Sequence, residues 1–194
     1  MTKKVCYFDT ETTGTDPATC GLIQLAMIIE VGGKEVDQAA WHLQPFPDDK
    51  ISQEALDVNG ITMKQLKEFA EPKVIHKQVV KFLGKHVNKF SRADKFYPAG
   101  YNVNFDLDML AAWFRKCGDK YVGSWFNWKR IDPLPLIYWM DLLGDIDLPN
   151  YKLATVCDHF KIDLKDAHDA MADIEATREL IKGVIADMML PVPR

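Results

Sequence analysis

The chain has 194 residues, 47% apolar and 27% charged, with a formal charge of -4. That length can bury a core without disulfides or a structural metal, and the mixed composition excludes a disordered or fibrous chain. The acidic balance argues against a broad basic nucleic-acid surface, so any polyanion must be met locally or through bound cations. No apolar run approaches the roughly 18 to 20 residues of a membrane span, and Met1 to Lys4 lead into a strand pattern instead of a signal-peptide core. The expectation is one intracellular, cytoplasmic domain over 1–194, away from membranes.

Val5 to Phe8 form a β-favouring run that ends in Asp9-Thr10-Glu11 and the turn formers Thr12-Thr13-Gly14. Leu22 to Val31 read as a second strand, Gly32-Gly33 as a hairpin turn, and Glu35 to Leu43 as a third, giving three consecutive antiparallel strands. Ser52 caps a short helix through Leu56, Thr62 another with Leu66 and Phe69, and Val74 to Phe90 carry helical spacing. Phe96 to Ala99 are a short strand entering Gly100. From Asp106 the residues Leu107, Leu110, Ala111 and Phe114 fall at helical spacing, closed by Cys117-Gly118. Trp125 to Lys129 form an aromatic, basic loop, Arg130 to Asp132 a brief fifth strand, and Leu134 to Leu143, Leu153 to Phe160 and Ala170 to Met189 three more helices. Pro191 to Arg194 read as a short tail. These elements predict an α/β fold, a mixed sheet of about five strands flanked by helices, because each amphipathic face needs a sheet face to cover it.

The four cysteines have no Cys-x-x-Cys spacing and read as free buried thiols; His42, His76, His86 and His159 lack zinc-site spacing. Asp9 and Glu11, two apart on a strand, leave one face of the sheet, where two anions raise each other's pKa unless a cation neutralises them. An isolated Asp-x-Glu is usually a solvated strand end. Asp106 lies where a strand feeds a helix and by itself reads as an N-cap. His168 and Asp173 are five residues apart, roughly 140° on one helix. His168 therefore fits the loop before the last helix, with Asp169 as cap and both His168 and Asp173 free to face one point.

Together these segments resemble the three exonuclease motifs of the DnaQ-like family, in its DEDDh branch: Asp9 to Gly14 the first, Asn102 to Asp106 the second, His168 to Asp173 the third. Residues Ile51 to Thr62 also resemble the segment between the first two motifs in bacterial members. Tyr101 departs from the family, where histidine is frequent. The resemblance implies an RNase H-like fold and a 3'→5' exonuclease using two divalent ions, Mg²⁺ or Mn²⁺, held by Asp9, Glu11, Asp106 and Asp173. It implies that Asp9 bridges both ions, that Glu11 and Asp173 hold the one activating water, and that Asp106 supports the other. His168 is the implied general base. The chemistry suits these residues: hard carboxylate oxygens bind such ions, and two ions about 3.5 to 4 Å apart stabilise the attacking and leaving oxygens of an in-line displacement.

Thr12, Thr13 and Gly14 are candidates to present backbone N–H groups to the terminal nucleotide, and Asn102, Asn104 and Phe105 to touch substrate; a plain turn and a core phenylalanine are the structural alternatives. Trp125, Trp128 and Lys129 are candidates for stacking unpaired bases, and Lys152, Lys161 and Lys165 for receiving the backbone. The expected partner is the 3' end of single-stranded DNA or RNA, with a DNA polymerase as a further partner if the domain proofreads. An RNA-trimming nuclease of the same branch and a non-cleaving binding or polymerase-docking module are the competing functions.

Overall fold

The computed structural model describes residues 2–164 and 168–188. Strands β1 (Lys4–Thr12), β2 (Leu22–Val31) and β3 (Lys34–His42) pair antiparallel in sequence order. The β2–β3 turn needs two left-handed residues, and Gly32 and Gly33 supply them at φ 62° and 78°. Helices α1 (Gln53–Val58), capped by Ser52, and α2 (Met63–Glu68), opened by a Thr62–Gln65 capping box, follow as predicted. Next come α3 (Pro72–Gly84) and β4 (Tyr97–Ala99), which pairs parallel with the free side of β1. Helices α4 (Val103–Lys116), α5 (Leu134–Leu143), α6 (Leu153–His159) and α7 (Ala170–Met188) complete the chain.

The strand order is β3-β2-β1-β4, which leaves β1 and β2 interior. Side chains alternate across them. Cys6, Phe8, Leu25, Met27 and Ile29 pack with Val79 and Leu83 of α3 and Leu110 and Phe114 of α4. Tyr7, Ala26 and Ile28 meet Ala170, Ile174 and Ile181 of α7 on the opposite face. Alternation therefore sends Asp9 and Glu11 to the α7 face. A third cluster, with Ile137, Val156, Leu180 and Val184, holds α5 and α6 against α7.

Three boundaries differ from the sequence expectation. The sheet has four strands, and the predicted strand at Arg130 to Asp132 shrinks to one bridge between Ile131 and Ala99. The reason is Asp132, whose carboxylate turns aside to accept N–H bonds from Asn102, Val103 and Leu134. Helix α4 begins at Val103, three residues before Asp106, so Asp106 lies in the first turn and is not the cap. Helix α3 runs from Pro72, pre-set for a first helical position, to Gly84 and leaves Phe90 exposed. Met189 and the Pro191 to Arg194 tail lie outside the described residues. Among the described residues no helix is long and apolar enough to cross a membrane.

Candidate active site

The site forms where β1 ends between β2 and β4. Glu11 is buried among other carboxylates; burial, then the fields of Asp173, Asp106 and Asp169, push its pKa up to about 8. The Asp9 carboxyl is raised well above the usual range by burial and by Asp106, Glu11, Asp173 and Asp169.

Asp106 enters from α4 and is almost fully buried. Its Oδ1 accepts the Thr10 backbone N–H at 3.0 Å and the Thr10 hydroxyl at 2.7 Å, pinning α4 to β1. Burial pushes its pKa up to about 7 against the downward pull of those Thr10 bonds. Close approach requires Gly100, since a Cβ there would sit 3.0 Å from the Phe8 carbonyl oxygen and 3.2 Å from Val103 Cγ2. The turn into α4 uses Asn102 in the left-handed region, φ 57°, with Asp132 supplying the acceptor that its own side chain does not.

The third segment comes from the start of α7. Asp169 caps that helix, accepting N–H bonds from Met171 and Ala172 at 3.1 and 3.2 Å, while its other oxygen accepts from buried Gln24 on β2 at 3.0 Å. His168 precedes it with φ 72°, an exposed turn residue as its spacing required. Glu11, His168 and Asp173 bring ligand atoms within 4.8 Å of one another, the metal-competent group found among the described residues. Burial raises the Asp173 pKa, opposed by His168, and its Oδ1 is buried with no hydrogen-bond partner. Farther along, Glu30 on the same sheet face accepts from Arg178 Nε at 2.5 Å and Lys182 Nζ at 2.8 Å. The helix is thus tied to β2 at its first turn through Gln24 and at its middle through Glu30, on either side of Asp173 in the chain. Sequence reasoning missed Gln24, Glu30 and Asp132; the first two are six residues apart on one face of the otherwise apolar β2, a detectable signal, whereas Asp132 gives none.

The remaining candidates divide. Thr12 donates its hydroxyl to the Gly14 carbonyl, and with Gly14 borders a cavity of about 670 Å³ against Ile51, Ala55 and Val58. Thr13 is fully buried, its N–H bonded to the Gly21 carbonyl and its hydroxyl to the Lys50 carbonyl, so its N–H is not available to a nucleotide. Asn102 and Asn104 are exposed, Asn104 accepting from Arg130, and Phe105 packs against the main core. Trp125 is core, whereas Trp128 is 83% exposed. Lys152 and Lys161 are exposed, and Lys165 lies outside the described residues. His76 packs on Trp113 and Phe114, His86 pairs with Asp37, and His42 and His159 lie against Phe69 and Phe160.

A mixed sheet whose interior strand delivers two carboxylates to a third from α4 and a fourth from the last helix is the acidic-site form of the RNase H-like fold, and the zinc-bound complex of Escherichia coli exonuclease I with single-stranded DNA shares that fold: TM-score 0.80, 22% identity, over 96% of this chain and 41% of that one. The exonuclease (RNase T) family model matches residues 6–181, and the chain belongs to that family of DnaQ-like 3'→5' exonucleases. Among curated relatives, the PolC-type DNA polymerase III of Bacillus cereus is 26% identical over 94% of this chain and 11% of its own length. Exodeoxyribonuclease I of Haemophilus influenzae is 26% identical over 94% of this chain and 40% of its own. The chain therefore spans about a tenth of the first relative and two fifths of the second.

Proposed function

We propose that this domain is a divalent-metal-dependent 3'→5' exonuclease of the DEDDh kind, hydrolysing the terminal phosphodiester of single-stranded or frayed DNA. One observation carries the reading: four carboxylates with raised pKa values converge beside a histidine, and one buried carboxylate oxygen has no partner. A divalent cation resolves that arrangement, since it supplies the missing partner and offsets the repulsion. Asp9, Glu11, Asp106 and Asp173 would hold Mg²⁺ or Mn²⁺, as a pair of ions. When bound, such ions neutralise phosphate oxygens and make hydroxide available from water near neutral pH.

The chain's own groups do the rest. His168, exposed beside Glu11 and Asp173, takes the proton from the attacking water, because an imidazole exchanges protons near neutrality. Thr10 holds Asp106, and Asp169 with Gln24 holds the turn that carries His168. Thr12 and Gly14 line the cavity that would seat the terminal nucleoside, and Asn102, Asn104 and Phe105, at the start of α4 beside Asp106, would contact the substrate there. The names of the relatives, a DNA polymerase and an exodeoxyribonuclease, support DNA over RNA and make proofreading beside a polymerase the natural setting.

The test is incubation of end-labelled single-stranded DNA, duplex DNA and RNA with the protein in Mg²⁺, Mn²⁺ or chelator. Stepwise shortening from the 3' end of single-stranded DNA, abolished by chelator, is expected. Shortening of RNA alone assigns an exoribonuclease instead, and no metal-dependent cleavage of any substrate overturns the reading.

A further inference from the structure

Among the described residues of this acidic chain, a cationic, aromatic strip runs along the β4 edge. Residues 127–130 bulge from the β4 edge between two parallel bridges, Phe96 with Phe126 and Ala99 with Ile131. At the crest Trp128 is 83% exposed, with Lys129 Nζ 5.8 Å from its ring centroid. Exposure of so large an apolar ring is costly in water unless something covers it. Trp128 stands between two grooves of about 740 and 690 Å³ that share Arg92, Lys95 and Asn127. Lys3 and Lys129 line the first and Arg130 the second. Of the nearby acids, Asp94 is paired with Lys4, and Asp108 borders the second groove. The strip is thus a local excess of positive charge around a bare indole.

Its position relative to the acidic cluster follows from the backbone. Arg130 donates to Asn104 in the first turn of α4, the turn that carries Asp106. Trp128 precedes Ile131, the bridge partner of Ala99 at the end of β4, by three residues, a span of at most about 10 Å for extended chain. A strand with its terminal phosphodiester at Asp106 that leaves across Asn104 meets Arg130 first and Trp128 next.

We infer that the Trp128–Lys129–Arg130 strip is a track for single-stranded DNA, in which an unpaired base upstream of the 3' end stacks on Trp128 and its phosphates meet Lys129 and Arg130. Unpaired bases present the π-faces that an exposed indole stacks, and a phosphodiester backbone matches flanking cations. The inference rests on the exonuclease reading for its direction, but binding is separable from hydrolysis.

The experiment measures fluorescence anisotropy of labelled DNA in chelator, where hydrolysis plays no part, using a single strand of about 12 nucleotides, within the roughly 4 to 16 covered by single-strand modules. Trp128→Ala is expected to weaken single-strand binding about tenfold, within the range for loss of one stacked base. Its exposure means the fold is not at stake. Lys129→Ala should reduce the dependence of log affinity on log salt by about 0.7. Trp139→Ala, at an exposed tryptophan on α5, serves as the control and should leave affinity unchanged. Wild-type affinity in Trp128→Ala, or equal weakening by Trp128→Ala and Trp139→Ala, overturns the track. So does equal weakening for blunt duplex and single strand, because paired bases cannot stack on the ring. Absence of cleavage by wild type in Mg²⁺ and Mn²⁺, with single-strand binding still dependent on Trp128, would overturn the exonuclease reading and leave the track standing.

Discussion

Two buried glutamates sit on the sheet face covered by α7 and meet opposite fates. Glu30, at one end of β2, is pushed up by burial, but the bonds from Lys182 and Arg178 outweigh that and hold its pKa below the usual carboxylate value. Glu11, opposite Gln24 at the other end of the same strand pair, is pushed up to about 8 by burial and by the fields of Asp173, Asp106 and Asp169. The fold therefore neutralises one carboxylate itself and leaves the other among like charges. Glu30 is a structural tie; Glu11 belongs to a cluster whose repulsion the proposed cation would relieve.

The sharpest way to break this contrast is to remove a carboxylate from each end. Asp9→Asn or Asp173→Asn should bring hydrolysis below detection while leaving melting temperature in chelator unchanged or higher, because one repelling group has gone. Glu30→Gln should do the reverse, costing about 1 to 3 kcal/mol of stability, since it strips a buried anion from partly exposed cations, yet retaining metal-dependent cleavage. Proportional loss of stability and activity in all three variants would make the acidic cluster structural.

A smaller effect is expected at His168. On the proposed general-base role, His168→Ala should lower turnover by roughly 10²- to 10⁴-fold while leaving metal binding nearly intact, and added hydroxide should partly restore the rate. Wild-type rates across the neutral range would reduce His168 to a turn residue. Smaller still, Mg²⁺ or Mn²⁺ at about a hundred times its dissociation constant should stabilise the wild type by about 2.7 kcal/mol, a shift that Asp9→Asn largely abolishes and Glu30→Gln keeps. An equal shift in Asp9→Asn and wild type would put the ion elsewhere.

Much of this contrast was legible before the fold was known. Period-two spacing puts Asp9 and Glu11 on one face, and the five-residue interval between His168 and Asp173, too wide for one helical face, places His168 on a turn capped by Asp169. What stayed hidden depends on partners remote in sequence. Helix α4 begins at Val103 because Asp132, nearly thirty residues on, supplies the acceptor, and no local pattern around Asn102 announces it. The same commitment of Asp132 reduces the expected fifth strand to a bridge. Trp125 and Trp128 look alike in sequence, but the bridge between Phe96 and Phe126 draws the first into the core and the bulge after it pushes the second out. That distinction belongs to the β4 edge and not to either residue's neighbours.

The gentlest probe of the contrast is the pH dependence of stability in chelator. A carboxyl whose folded pKa lies above its unfolded value binds more protons in the native state between the two. The unfolded carboxyl ionises first, so stability falls as pH rises through that window and is constant beyond it. For Glu11 the window runs from 4.5 to about 8, and Asp9, Asp106 and Asp173 act in the same sense from 3.8 upward. Glu30 has the opposite sign: its stabilisation is present above 4.5 and disappears as pH falls through its lowered folded value. Chemical denaturation from pH 5 to 8 (the part of the Glu11 window above the ordinary carboxylate range, roughly 4) should therefore show a decline in the apo protein. Glu11→Gln should flatten that decline by up to about 1.4 kcal/mol per pH unit, the worth of one proton. Saturating Mg²⁺ should remove it in the wild type, since the ionised carboxylates are then the favoured form. Glu30→Gln should leave the slope over this range unchanged and alter only the acid limb below it. A flat apo profile, or a slope that survives Mg²⁺, would mean that the carboxylates at the end of β1 are neutralised by the fold in the way Glu30 is.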